Sequence, residues 1–253
     1  MKRPQIVFFI TRPLLLLVLV GLLTVLGVYL TNWVHRMEEP PGPLLPLGGI
    51  VIVLDPGHGG IDGGTHDGQG VLEKNIVFDI ALELKSILTS LGAGVIMTRE
   101  ADSDLGHRNS LFRSRQRRDL AARTQVAVES QADIFLSIHV NHMKDERKKG
   151  SMFFFQRKNP QSNHLAQSLW KQIKIIQPDN EEKPLPAGFY LLRNSPMVTV
   201  LWEVGFLSNN EEKNLLINPQ YQVKLAQAIS LGIIDYIQSS EKSRASRISK
   251  KSC

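Results

Sequence analysis

At 253 residues and 42% hydrophobic content, the chain is long enough to bury one sizeable core, or at most two smaller ones. Its single cysteine, Cys253, excludes an intrachain disulfide and a cysteine-ligated zinc site. The net charge of +6 is uneven, gathered at Arg108 to Arg123, at Lys144 to Lys149 and at Lys242 to Lys251.

The N-terminus sets the compartment. Residues 13–31, PLLLLVLVGLLTVLGVYLT, carry no charge and at helical rise span roughly the 30 Å of a bilayer core. Lys2, Arg3 and Arg12 precede this span, while Glu38 and Glu39 follow it, so the positive-inside rule puts residues 1–12 in the cytoplasm and everything after 31 outside the cell membrane. A cleaved signal peptide is the competing reading, but TNWVHRMEE has no small-x-small cleavage site and the apolar stretch is long. A single-pass anchor with an extracytoplasmic domain is therefore expected, and an exported domain rarely meets nucleic acid, so the basic clusters read as a solvated face beside anionic lipid or polymer. Residues 32–48 hold four prolines within EEPPGPLLP and read as a stiff linker. The folded domain is then expected over 49–238, and residues 239–253 read as a disordered basic tail.

Within that domain, strands are expected at 50–54, 95–98, 134–138, 152–155, 189–192 and 198–202 from short β-rich apolar runs. Helices are expected at 74–91, 112–130, 162–176 and 219–237; the first repeats apolar residues at helical spacing from Ile76 to Leu91 and stops at Gly92. This alternation predicts an α/β fold, a mainly parallel twisted sheet with helices on both faces. In such sheets sites form at the C-terminal ends of the strands.

Three ionisable residues fall there: His58 after the first strand, His139 at the end of DIFLSI and Glu203 after VTVLW. Residues 54–64, LDPGHGGIDGG, place five glycines around His58, which removes side chains that would keep another group off the backbone. A phosphate fits poorly, because the spacing is not G-x-G-x-x-G and no Walker lysine follows. A metal fits better. Zinc in hydrolytic sites takes three protein ligands, often two histidines and a glutamate, and keeps a fourth position for water. His58, His139 and Glu73, at the start of the first helix, would supply that set, leaving Glu203 free to move a proton. Spacing alone leaves open that Glu73 only caps its helix.

The motifs LDPGHGGIDGG, VLEKN, SIHVN and WEVGFLSN, in that order over 50–238, resemble those of the zinc-dependent N-acetylmuramoyl-L-alanine amidases of the amidase-3 type. The resemblance implies a central twisted sheet with flanking helices, zinc held by His58, Glu73 and His139, and Glu203 as catalytic acid/base. It implies hydrolysis of the amide between N-acetylmuramic acid and the L-alanine of the peptidoglycan stem peptide. The anchor, the absence of wall-binding repeats and VIMTREADSDL before an arginine-rich helix are most similar to the family's germination-specific spore cortex branch, whose members prepare muramic δ-lactam. A membrane-tethered wall binder without turnover, or a zinc peptidase acting within the stem, would share these residues. An activating partner protein is not readable from the sequence.

Two positions depart from the family pattern: His142 stands where alanine is common and Val128 where asparagine is common. His142 is expected beside the site or facing substrate, since a fourth protein ligand would close the metal to water. Asn141 and Arg193 are the candidates for substrate contact, Arg193 through a carboxylate. Asp55 is expected to bond backbone or to orient His58.

Overall fold

Apolar runs that end in turn residues build a six-stranded sheet in the order β2-β1-β3-β6-β4-β5. The strands are β1 Val51–Pro56, β2 Gly94–Met97, β3 Ile134–Asn141, β4 Met152–Gln156, β5 Leu185–Ala187 and β6 Val198–Phe206. The helices are α1 Arg12–Glu38, α2 Glu73–Ser90, α3 Arg115–Glu129, α4 Pro160–Ile176, α5 Tyr190–Asn194, α6 Asn210–Leu216 and α7 Pro219–Lys251. This computed structural model describes residues 12–38, 45–108 and 111–251. It divides into two compact units, Met1–Leu44 and Leu45–Cys253.

In the second unit β1 pairs parallel with β2 and β3, β3 pairs parallel with β6, and β4 runs antiparallel to β6 and parallel to β5. The sheet is mixed and mainly parallel. Period-2 alternation splits each strand between two cores. Ile52, Leu54, Leu136, Ile138, Val200 and Trp202 pack on one face with α2, α4 and α7. Val53 and Phe135 face the other way, against Ala127 of α3 and Leu191 of α5. Continuing the alternation, His139 and Glu203 lie on that second face, at the C-terminal ends of β3 and β6.

The expected elements are present with one inversion and two additions. The run at 189–192 is not a strand: Phe189 is the N-cap of the one-turn helix α5, which buries Leu191 and Leu192. A four-residue apolar run cannot distinguish the two by period. Leu185–Ala187, hidden in the proline-rich KPLPA, forms the edge strand β5, a position where Pro186 is tolerated. Helix α6, begun by Asn209 accepting from the Glu212 N–H at 2.9 Å, was not expected.

The termini differ more. Residues 1–11 lie outside the described residues, and the apolar span 13–31 lies within α1. Among the described residues no helix is long and apolar enough to cross a membrane. The linker expected over 32–48 is corrected at both ends: residues 32–38 continue α1, 39–44 lie outside the described residues, and Leu45–Gly49 belong to the second unit, where Leu47 is fully buried and its N–H meets Leu91 O at 3.0 Å. The disordered tail expected over 239–253 is also corrected, because α7 continues to Lys251. SSEKSRASRISKK contains neither glycine nor proline to stop a helix.

Candidate metal centre

His58 sits two residues past β1 in a left-handed conformation, φ 60°. That conformation costs a non-glycine residue about 1 to 2 kcal/mol, so the turn holding it is over-determined. Gly57 lets the His139 ring approach: a Cβ at Gly57 would stand 2.3 Å from His139 Cε1. Gly64, φ 69°, does the same for the other ligands, because a Cβ there would meet Glu73 Oε2 at 2.5 Å and His58 Cδ2 at 2.7 Å.

Glu73 does not cap its helix. The first N–H groups of α2 go to loop carbonyls, Glu73 N to Thr65 O at 2.9 Å and Lys74 N to Gly63 O at 3.2 Å. The carboxylate turns inward instead, nearly fully buried. Its Oε1 lies 3.0 Å from His139 Nδ1 and 3.2 Å from His58 Nε2 and accepts the Val140 N–H at 2.8 Å, while Oε2 accepts the Thr65 N–H at 2.8 Å. The two imidazoles meet edge to face, 5.0 Å between centroids. Burial alone would raise the Glu73 pKa, but hydrogen bonds and charge from His139 and His58 hold it far below the usual carboxylate range. Burial lowers the His139 pKa, and its bond to Glu73 more than reverses this, bringing it to about 9 in the metal-free chain.

Two imidazole nitrogens and one carboxylate oxygen thus converge, all within 4.8 Å of one another. Neighbouring ligands on a tetrahedral zinc with bonds near 2.0–2.2 Å stand about 3.3 Å apart, so a small contraction suffices. The donor types and count are those of an open hydrolytic zinc site. The residues fit the ion.

Glu203 pairs in register with His139 across the β3–β6 ladder, just before a bulge that re-aims β6. Its Oε2 is buried without a hydrogen-bond partner, and burial, only partly offset by His139, pushes its pKa up to about 7. A carboxyl of that pKa can both take and return a proton near neutrality.

The other expected site residues distribute differently. Asn141, at the end of β3, spends its Oδ1 on the His142 N–H at 2.8 Å and sets Nδ2 3.9 Å from Met152 Sδ. His142 is exposed and stands apart from the ligand group, lining a polar recess of about 210 Å³ with His66, Lys144 and Glu146. Arg193 is displaced from the site. It lines a cleft with Gln156, Arg157 and Gly188 at the C-terminal end of β4. Because β4 is antiparallel to β6 and Met152 pairs with Glu203, that end is the far end of the sheet. The expectation of Arg193 beside substrate is therefore corrected: the residue belongs to α5, at the opposite end of the sheet from His139 and Glu203.

Among the described residues the hydrogen bonds of the Asp55 carboxylate go elsewhere than to His58. It is fully buried and accepts from Thr98 Oγ1 at 2.7 Å, Ser137 Oγ at 2.7 Å and Arg123 Nη1 at 2.8 Å. The carboxylate beside His58 is Asp62, with Oδ1 3.1 Å from Nδ1, close enough for charge pairing though outside hydrogen-bond alignment. Sequence reasoning missed Asp62, Arg99 and Arg123. The rule that found His139 flags Arg99 too, since it follows β2 by two residues, whereas nothing separates Arg123 from its neighbouring arginines.

Comparison with known proteins points to one family. Residues 52–235 match the family model described as N-acetylmuramoyl-L-alanine amidase. The germination-specific N-acetylmuramoyl-L-alanine amidase of Bacillus subtilis is 37% identical over 194 residues, covering 76% of this chain and 81% of that protein. The CwlD amidase of Clostridioides difficile, solved in complex with the GerS lipoprotein, superposes with TM-score 0.70 at 34% identity over 75% of this chain and 99% of that one. The catalytic domain of CwlV, an N-acetylmuramoyl-L-alanine amidase of Bacillus (Paenibacillus) polymyxa, gives TM-score 0.63 at 29% identity over 75% of this chain and 98% of that one. With the family model matched over residues 52–235 and a curated relative 37% identical over 194 residues, this chain belongs to the N-acetylmuramoyl-L-alanine amidase family, the peptidoglycan hydrolases that cut between muramic acid and L-alanine.

Proposed function

We propose that the chain performs this hydrolysis with one zinc ion held by His58, Glu73 and His139, and with Glu203 as the acid/base. The observation that carries the reading is the convergence of those three ligand atoms within 4.8 Å, beside a buried carboxyl whose Oε2 has no partner. A bound zinc ion supplies Lewis acidity, polarising a carbonyl and making water acidic enough to ionise near neutral pH. Glu203, half-buried with its Oε2 enclosed and ionisable near neutrality, accepts the proton of the attacking water and delivers it to the departing L-alanine nitrogen. Asp62 favours the His58 orientation from the Nδ1 side, and Glu73, bonded by the Thr65 and Val140 amides, keeps one oxygen between the two imidazoles. Mass spectrometry of digested peptidoglycan tests the cleavage position: intact stem peptides beside peptide-free muramic acid support it, and cuts between amino acids overturn it.

The setting is proposed as the spore cortex, in the branch that prepares muramic δ-lactam, on the strength of the similarity to the Bacillus subtilis germination-specific amidase. Lactam content of spores lacking the protein tests this, and normal content overturns it. The anchor is proposed from the uncharged sequence span 13–31 alone; retention in the membrane pellet after alkaline carbonate washing supports it, and release into the wash overturns it. The Clostridioides difficile neighbour is in complex with a lipoprotein, and a lipoprotein partner is proposed here on that ground.

A further inference from the structure

Two arginines lie beneath the metal ligands with almost no exposure, Arg99 at 3% and Arg123 at 1%. Between them they hold the carbonyls of three consecutive residues. Arg99 Nε and Arg123 Nη1 both donate to Pro56 O, each at 2.9 Å, Arg99 Nη2 donates to Gly57 O at 3.1 Å, and Arg123 Nη2 donates to His58 O. Neither cation stops there. Arg99 Nη2 also reaches Lys74 O at 2.8 Å, one residue after Glu73. Arg123 Nη1 meets Asp55, whose other oxygen takes Ser137 Oγ at 2.7 Å, two residues before His139. Asp119, one helical turn before Arg123, fixes it further through Nε at 2.6 Å.

We infer that Arg99 and Arg123 are positioning residues that prearrange the three metal ligands: Arg99 joins the His58 turn to the Glu73 helix, and Arg123 with Asp55 joins the same turn to the His139 strand. Neither arginine touches the ligand side chains, so the effect passes through the backbone. The left-handed His58 shows what must be held. A carbonyl-facing guanidinium fork suits this task, because its donors lie in a fixed plane and satisfy several acceptors at once, which a lysine ammonium on a flexible stem cannot do. The inference rests on the zinc reading above.

The test is zinc affinity, measured on full-length protein in detergent by competition with a chromophoric chelator, alongside the melting temperature of the metal-free form. Arg99→Lys and Arg123→Lys keep the buried charge and lose the fork. Each is expected to weaken zinc on the order of 10- to 100-fold, the usual cost of losing a ligand's support, while the melting transition stays cooperative. Affinity within twofold of wild type, with only the melting temperature lowered, overturns the inference. If the wild-type protein takes up no zinc, the zinc reading fails instead, and the two failures are thereby separate. Hydrogen exchange of the metal-free wild type needs no variant. Gly57 N, bonded to Ile138 O at 3.0 Å, and Val140 N, bonded to Glu73, are expected to stay protected after chelation. Exchange of both at unfolded-chain rates would mean that the ion, not the arginines, orders the turn.

Discussion

His139 and Glu203 stand opposite each other in register across the β3–β6 ladder, yet only His139 is hydrogen-bonded to Glu73, while Glu203 Oε2 is left buried and unpartnered. Adjacent strands thus present one group saturated by a neighbour and one held ready for a proton. Glu203→Gln keeps the shape and removes the proton acceptor. It should retain zinc and lose on the order of 10²- to 10⁴-fold in kcat, checked by muropeptide release at saturating substrate.

The pH profile follows from the same carboxyl. Burial raises its pKa to about 7 in the metal-free chain. A bound dication nearby favours the ionised form and moves it down. As a proton acceptor Glu203 must be ionised, so the rate should fall as pH drops through its pKa, with the acid limb of the zinc-loaded enzyme below pH 7. The limb should vanish in Glu203→Gln if this residue causes it.

Close backbone approach at the two ligand-facing glycines makes a steric prediction. Gly64→Ala would put a methyl 2.5 Å from Glu73 Oε2 in a left-handed backbone, and Gly57→Ala would put one 2.3 Å from the His139 ring. Both should weaken zinc binding more than Gly68→Ala, a control at φ 75° with open space around it. Metal content after dialysis against a weak chelator checks the ranking.

Asp55 and Arg123 form a fully buried pair. Burial alone would raise the Asp55 pKa, but the Arg123 charge and hydrogen bonds from Ser137, Arg123 and Thr98 bring it below its ordinary value. A depressed folded-state pKa stabilises the fold above the unfolded value of about 3.9, and that stabilisation is lost as pH falls through the folded pKa. Removing one partner leaves the other charge buried, so Arg123→Met should cost about 3 to 5 kcal/mol at pH 7, and less of that difference should remain in acid. Urea midpoints at pH 7 and pH 3 measure both.

Two of the three candidate ligands are legible from a general rule: His58 and His139 stand where parallel strands end, and the glycines around His58 announce a close approach, whereas spacing alone leaves Glu73 open as a helix cap and the motif resemblance singles it out. The supporting residues are not legible in this way. Asp55 is expected to bond backbone or to orient His58, but its side-chain partners Thr98, Ser137 and Arg123 reach it from 43, 82 and 68 residues away. No local pattern encodes such contacts. Arg193 is hidden for a related reason: its place at the far end of the sheet follows from the antiparallel pairing of β4 with β6, which no local pattern encodes. The tail over 239–253 reads as disordered and basic, although its residues up to Lys251 favour helix as readily as solvent.

Three side chains, distant in sequence, are proposed to hold one zinc ion. Metal analysis by plasma emission on full-length protein purified without chelators tests it most directly. One zinc per chain is expected in the wild type and in Glu203→Gln, and a large loss in His58→Ala, Glu73→Ala and His139→Ala. Wild-type protein free of zinc, or ligand variants that keep a full complement, would contradict it.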